Sequence, residues 1–220
     1  MKLTDNLYFY PETGMLDANT YVIKDDTTIV IDPGATRKLP ALVQAMQKDS
    51  IKPEDIKIIL NTHLHLDHYE ADDDFKKLSG ARILAHPKQK EFYNFSVVKV
   101  AQFFGIPAQE FKEDAILDAT ELGKGSLGLE IIYAPGHSAD SICFYSKKAK
   151  FLICGDVIFY GNTGRVDLPG GNAARLKQSI EELAKLDIEY LLPGHMDIVT
   201  GDTAVKQNFR YVKDNVFGWL

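Results

Sequence analysis

Short apolar runs set between polar and turn-forming residues mark the opening third of the chain. Leu7 to Tyr10, Asn19 to Lys24 and Thr27 to Asp32 are short runs rich in β-branched and aromatic side chains. They predict three strands, with Asp25-Asp26 as a hairpin turn and Pro33-Gly34 as the break that follows. The pattern then changes. Leu39, Leu42, Val43 and Met46 share one helical face, which predicts an amphipathic helix from about Thr36 to Lys48. Strand Ile56 to Leu60, helix Asp72 to Leu78, strand Arg82 to Ala85 and a helical stretch from Pro87 to about Phe104 continue the alternation. Leu129 to Ala134, Ser141 to Tyr145, Phe151 to Cys154 and Tyr190 to Leu192 read as strands, and Ala173 to Leu186 and Thr203 to Val216 as helices. Hairpin strands combined with exterior helices predict two sheets packed face to face and covered on both outer sides, an α/β (α+β) four-layer αββα sandwich. No repeat, low-complexity tract or linker divides the sequence, so one domain over residues 1–220 is expected.

Composition narrows the classes of function. With 45% hydrophobic and 25% charged residues in 220, the chain can bury a sizeable core and is neither collagen-like nor disordered. Lys and Arg number 25 against 31 Asp and Glu, a net charge of −6, so no overall field draws phosphate backbones or anionic lipid. The expected partner is a small-molecule substrate, not nucleic acid or a membrane; oligomeric state is left open. Two cysteines, Cys143 and Cys154, fall far short of a disulfide framework and read as packed small hydrophobes. Residues after Met1 lack a basic stretch followed by an apolar run, so no signal peptide is expected and a cytoplasmic location is.

The candidate chemistry begins at Asn61-Thr62-His63-Leu64-His65-Leu66-Asp67-His68, directly after the strand ending at Leu60. On a helix His63 and His65 would diverge, whereas in an extended or looping segment both imidazoles take one side. Three further strand-like runs end in a potential ligand: Pro135-Gly136-His137, Gly155-Asp156 and Pro193-Gly194-His195. Strand ends on a rigid sheet edge hold convergent ligands accurately, and a glycine before each permits the sharp turn that exposes it. Five histidines and two aspartates without a thiolate suffice for two metal ions with open coordination, a donor set that suits catalysis more than structural support. Two divalent ions about 3.5–4 Å apart can share a water, acidify it and clamp substrate oxygens, so hydrolysis is expected.

With these motifs, and with Ile29-Val30-Ile31-Asp32-Pro33-Gly34, the sequence resembles the metallo-β-lactamase fold superfamily along nearly its whole length. The resemblance implies that His63, His65 and His137 hold a first metal, Asp67, His68 and His195 a second, and that Asp156 bridges them. Asp156 stands where some zinc β-lactamases use cysteine, which disfavours antibiotic hydrolysis. The stretch Gly164-Arg165-Val166-Asp167-Leu168-Pro169-Gly170-Gly171 is similar to a loop of the glyoxalase II-like (hydroxyacylglutathione hydrolase-like) branch and its persulfide dioxygenase relatives, which act on glutathione-linked compounds. The resemblance implies a thioester or related ester hydrolase. Its nucleophile would be hydroxide held by two divalent ions, zinc first with iron or manganese as alternatives, and Asp67 would accept a proton. Arg165 would meet a carboxylate of a glutathione or other thiol conjugate. Asp167 replaces the aromatic that usually follows the loop cation, Tyr69-Glu70-Ala71 replaces the usual Gly-Gly, and no helical C-terminal domain of the kind that completes the glutathione pocket is expected.

Two other functions fit the same motifs: a mononuclear iron persulfide dioxygenase using His63, His137 and Asp156, and a metal-stabilised binding module without activity. Several residues carry plainer readings. Asp32 either caps the Pro33-Gly34 bend or orients a ligand histidine. Arg165 either recognises substrate or pairs with Asp167. His86 is expected to be structural, Asp72-Asp73-Asp74 to be favourable charge at a helix N-terminus, and Phe92 to Phe95 with Phe103-Phe104 to be packing aromatics of a helix.

Overall fold

Along the first strand, β1 (Leu7–Tyr10), Leu7 and Phe9 face one way and Tyr8 and Tyr10 the other, and this alternation runs through both sheets of the computed structural model. The structure describes residues 1–14, 16–117, 122 and 124–220. β1 is followed by β2 (Thr20–Lys24), β3 (Thr28–Ile31), β4 (Ile58–Leu60), β5 (Arg82–Ala85) and β6 (Ala115–Ile116), which form one sheet in sequence order. Its hairpin half is antiparallel, and β3 to β6 run parallel through helical crossovers. The second sheet has the order β13-β12-β9-β8-β7, built from β7 (Leu129–Tyr133), β8 (Ile142–Ser146), β9 (Phe151–Gly155), β12 (Tyr190–Pro193) and β13 (Val199–Thr200). β10 (Ile158–Phe159) and β11 (Asn162–Thr163) make a small hairpin beside it.

Three buried clusters account for the layers. Leu7, Phe9, Tyr21, Ile23, Ile29 and Ile31 of the first sheet meet Leu129, Ile142, Phe144, Phe151, Ile153 and Leu192 of the second, which is the contact between sheets. The opposite face of the first sheet, with Tyr8, Val22, Val30 and Ile59, is covered by Leu39 and Met46 of α1 (Leu39–Lys48) and Phe75 of α3 (Asp72–Ser79). Cys143, Tyr145, Leu152, Cys154 and Leu191 on the outer face of the second sheet meet α6 (Ala173–Leu183) and α7 (Asp202–Asn215) through Leu176, Ile180, Phe209 and Val212. Each such buried side chain contributes about 1.5–3 kcal/mol, so a shift of one residue in any strand would exchange two cores at once. The expected αββα sandwich is the observed fold.

Helix boundaries follow local chemistry. Asn172 caps α6 by accepting from the Arg175 N–H at 2.9 Å, and Gly80 ends α3 in the left-handed region at φ 72°. His86 is structural, as expected: its Nδ1 accepts from the Lys88 N–H at 3.2 Å to cap α4 (Pro87–Tyr93). The helical stretch beyond departs from expectation. A π-helical segment over Asn94–Lys99 separates α4 from α5 (Val100–Phe104), and it packs inward through Ser96 and Val97, followed by Val100 and Ala101. Phe95, Phe103 and Phe104 are left exposed, because the wider turn changes which side of the helix later residues occupy. Asp72 also differs from its neighbours: it is buried and accepts from Asn61 Nδ2 at 3.2 Å, whereas Asp73 and Asp74 fit the expected solvated helix start. Among the described residues no helix is long and apolar enough to cross a membrane.

Candidate metal centre

The site lies where strand ends of both sheets meet. After β4 the chain bends at Thr62 and His63; buried Leu64 enters the outer core of the first sheet while His63 and His65 bring their rings together in the site. α2 (Leu66–Tyr69) then begins at His65 and carries Asp67 and His68. This ligand loop is fastened at two points. Thr62 donates from N and from Oγ1 to the two oxygens of Asp32, each at 2.7 Å, and the Leu64 N–H donates to Asp140 Oδ2 at 2.9 Å. Asp140 is itself buried and accepts from Ser96 of the π segment at 2.6 Å and from Ser138.

The second sheet delivers its three residues one strand at a time. Gly136 (φ 148°) and Gly155 (φ 49°) adopt backbone that other residues rarely take, just before His137 and Asp156. Gly194 has a different reason. A Cβ there would strike Asp156 Oδ1 and come within 2.8 Å of His68 Cε1, so glycine is required by space and not by a turn. The 193–195 turn is held by Tyr21, whose hydroxyl donates to the Pro193 carbonyl at 2.7 Å, and by Asn19, which donates from Nδ2 to the same carbonyl at 3.0 Å.

All seven residues singled out in the sequence converge. Donor atoms of His63, His65 and His137, of His63, His68 and Asp156, and of Asp67, His68 and His195 form three groups, each within 4.8 Å. His63 Nε2 and His137 Nε2 lie 3.1 and 2.9 Å from His65 Nδ1. His195 Nε2 is 3.3 Å from Asp67 Oδ2, and Asp156 reaches His68, His137 and His195 at 3.5, 3.4 and 3.5 Å. Asp156 therefore stands between the two outer groups.

Counting protons shows what the arrangement suits. His137 donates its Nδ1–H to the Arg165 carbonyl at 2.7 Å, which leaves Nε2 as a bare lone pair. The Thr62 hydroxyl is committed to Asp32, so His63 donates Nδ1–H to it at 3.2 Å and also turns a lone pair inward. Both lone pairs face His65 Nδ1, which can supply at most one proton. Burial keeps these rings uncharged: His63 is pushed well below its ordinary value, His65 down to about 3 and His137 down to about 4, the neighbouring imidazoles adding to the effect for each. His65 Nε2, His68 Nε2 and Asp156 Oδ1 are buried without a hydrogen-bond partner. Opposed lone pairs and orphaned buried polar atoms cost about 1–3 kcal/mol each, and cations held by these groups would satisfy them.

The other group is charged. His68 Nδ1 donates to Asp32 Oδ2 at 3.0 Å and His195 Nδ1 to Glu12 Oε2 at 2.8 Å. Burial disfavours the imidazolium at both, but Asp32, Asp156 and Asp67 outweigh it at His68, raised to about 9, and Asp156, Asp67 and Glu12 at His195, raised to about 10. For Asp67, burial opposes ionisation, yet His68 and His195 hold its carboxyl well below the usual carboxylate range. Asp32 thus orients a histidine, one of its two expected roles. The Arg165 guanidinium pairs with Asp167 through Nε and Nη2, both at 2.6 Å, on the exposed loop beside His137. Sequence reasoning missed Glu12, Asp140 and Ser96, whose partners lie far off along the chain.

Residues 13–195 match the family model of the metallo-β-lactamase superfamily, and the chain belongs to that family. Among its relatives are a probable metallo-hydrolase of Methanocaldococcus jannaschii, 35% identical over 89% of this chain and 93% of that protein, and the hydroxyacylglutathione hydrolase GloC of Haemophilus influenzae, 31% identical over 88% of each. Similar solved structures include the B3 metallo-β-lactamase BLEG-1, at TM-score 0.75 and 25% identity over 95% of this chain and 97% of that one. TTHA1623, solved in a di-iron-bound form, matches at TM-score 0.70 and 27% identity over 87% and 94%.

Proposed function

We propose that the chain is a dinuclear metallohydrolase, a single domain over residues 1–220 working in the cytoplasm, that cleaves a thioester or related ester of a glutathione or other thiol conjugate. The observation that carries this reading is the pairing of an all-histidine triad, His63, His65 and His137, with one that contains a carboxylate, Asp67, His68 and His195, across Asp156. These residues would hold two divalent cations, zinc first, with iron supported by the di-iron neighbour and manganese by the same donor chemistry. Bound there, the cations supply a water acidified toward neutral pH and Lewis-acid stabilisation of a developing oxyanion.

The chain's own residues do the rest. Asp67, kept ionised between His68 and His195, accepts a proton as the tetrahedral species collapses. His137 is locked in orientation by the Arg165 carbonyl, so the loop that carries Arg165 connects substrate binding to the site. The Arg165 guanidinium exchanges its Asp167 partner for a substrate carboxylate. The similarity to GloC supports the thioester class.

The test combines metal analysis of purified protein with turnover of thioesters, β-lactams and, with an oxygen electrode, persulfides. Two metals per chain with thioester hydrolysis is the expected result. One iron with persulfide-dependent oxygen uptake would replace this reading by a dioxygenase, β-lactam turnover alone would replace the substrate class, and metal without any turnover would leave a metal-stabilised binding module.

A further inference from the structure

Glu12 belongs to none of the sequence motifs and lies between β1 and β2, yet its carboxylate grips the His195 turn twice. Oε2 accepts from His195 Nδ1 at 2.8 Å and Oε1 from the Met196 N–H at 3.1 Å. Its position is fixed by Asn19, which accepts from the Glu12 N–H at 2.9 Å, donates from its side chain to the Met196 carbonyl at 2.9 Å and from its backbone to the Gly194 carbonyl at 2.7 Å. Glu12 and Asn19 together therefore clasp residues 193–196.

The clasp has a chemical consequence. A carboxylate on Nδ1–H keeps that nitrogen protonated and leaves Nε2, which faces Asp67 and Asp156, as the atom that would bind a cation. The corresponding outer nitrogens of His63 and His137 meet a hydroxyl and a carbonyl, which orient their rings but add no charge. We propose that Glu12 is a positioning residue that sets the orientation and donor strength of His195, and through it the affinity for the cation held with Asp67 and His68, while the cation at His63, His65 and His137 is bound independently of it. This rests on the dinuclear reading above.

The test uses the full chain, stripped of metal, titrated with Zn²⁺ against a competing chromophoric chelator, together with the ring ¹⁵N shifts of His195. Wild-type protein is expected to show two binding steps. Glu12→Ala should weaken one of them by about 10–100-fold, leave the other within about 2-fold and move the His195 Nδ1 and Nε2 shifts. Glu12→Gln, whose amide oxygen can still accept Nδ1–H, should fall between, and it carries the test if Glu12→Ala does not fold. Unchanged affinities in both variants, or equal weakening of both steps, would overturn the role of Glu12. A single step in the wild type would instead overturn the dinuclear reading, and the role of Glu12 with it.

Discussion

The two halves of the candidate centre are built on opposite electrostatic plans. Around His63, His65 and His137, rings are buried, uncharged and oriented by neutral groups, and what they present is a set of mutually facing lone pairs. Around Asp67, His68 and His195, rings are oriented by the carboxylates of Asp32 and Glu12 and carry protons that a cation must displace. One half is short of positive charge because too few protons are available; the other already holds it in the form of protons. The same five imidazoles therefore make two chemically different positions, and the difference comes from the residues behind the ligands.

Substitutions can break or sharpen this contrast. The largest effect is expected from Asp156→Ala, since Asp156 faces both halves: uptake of both metals should fall, and kcat/KM should drop on the order of 100- to 1000-fold. Loss confined to one metal would show that Asp156 belongs to one half only. Next, Asp32→Ala leaves three buried donors, Thr62 N, Thr62 Oγ1 and His68 Nδ1, without an acceptor, and should cost about 3 kcal/mol in urea unfolding. Thr62→Val, which removes the hydroxyl between His63 and Asp32 but leaves Asp32 paired with His68 and with the Thr62 N–H, should cost less, about 1–2 kcal/mol. Equal losses would erase the distinction between charged and neutral support.

A smaller effect of opposite sign is expected beneath the charged half. Asn61 Nδ2 donates both to the His68 carbonyl and to buried Asp72, whose carboxyl is pushed well above its ordinary value by burial. Because the folded state holds this proton more tightly than the unfolded chain, the stability it contributes is full below the ordinary carboxylate range and is lost as pH rises toward the raised value. Asp72→Asn should therefore stabilise the protein by about 1–2 kcal/mol at neutral pH, with the gain shrinking in acid, measured by unfolding at several pH values. The smallest change in stability, within about 0.5 kcal/mol, is expected for exposed Arg165→Ala, whose predicted signature is a raised KM with little change in kcat. Unaltered KM would remove Arg165 from substrate binding.

Much of this was legible in the residues because it is local. The strands at Leu7–Tyr10 and Thr20–Lys24 could be read from their β-branched and aromatic residues, and the pattern of His63, His65, Asp67 and His68 announced a strand-end loop with His63 and His65 on one side. His137, Asp156 and His195 could be read because each follows a strand and a glycine. The supporting residues could not. Asp140 meets Leu64, and Glu12 meets His195, across separations of 76 and 183 residues, and a lone carboxylate in a loop has no local signature of such a partner. The outward turn of Phe95, Phe103 and Phe104 was hidden for another reason: a π segment breaks the helical period on which face assignment depends.

Gly194 makes the centre vulnerable from a direction that scanning its polar side chains would never probe. Alanine, the replacement normally regarded as mildest, would there drive one extra methyl between a carboxylate and an imidazole that must stay adjacent. An intact roster of donors is thus no guarantee of an intact reaction chamber, since a residue along its wall that has no side chain leaves no space for one.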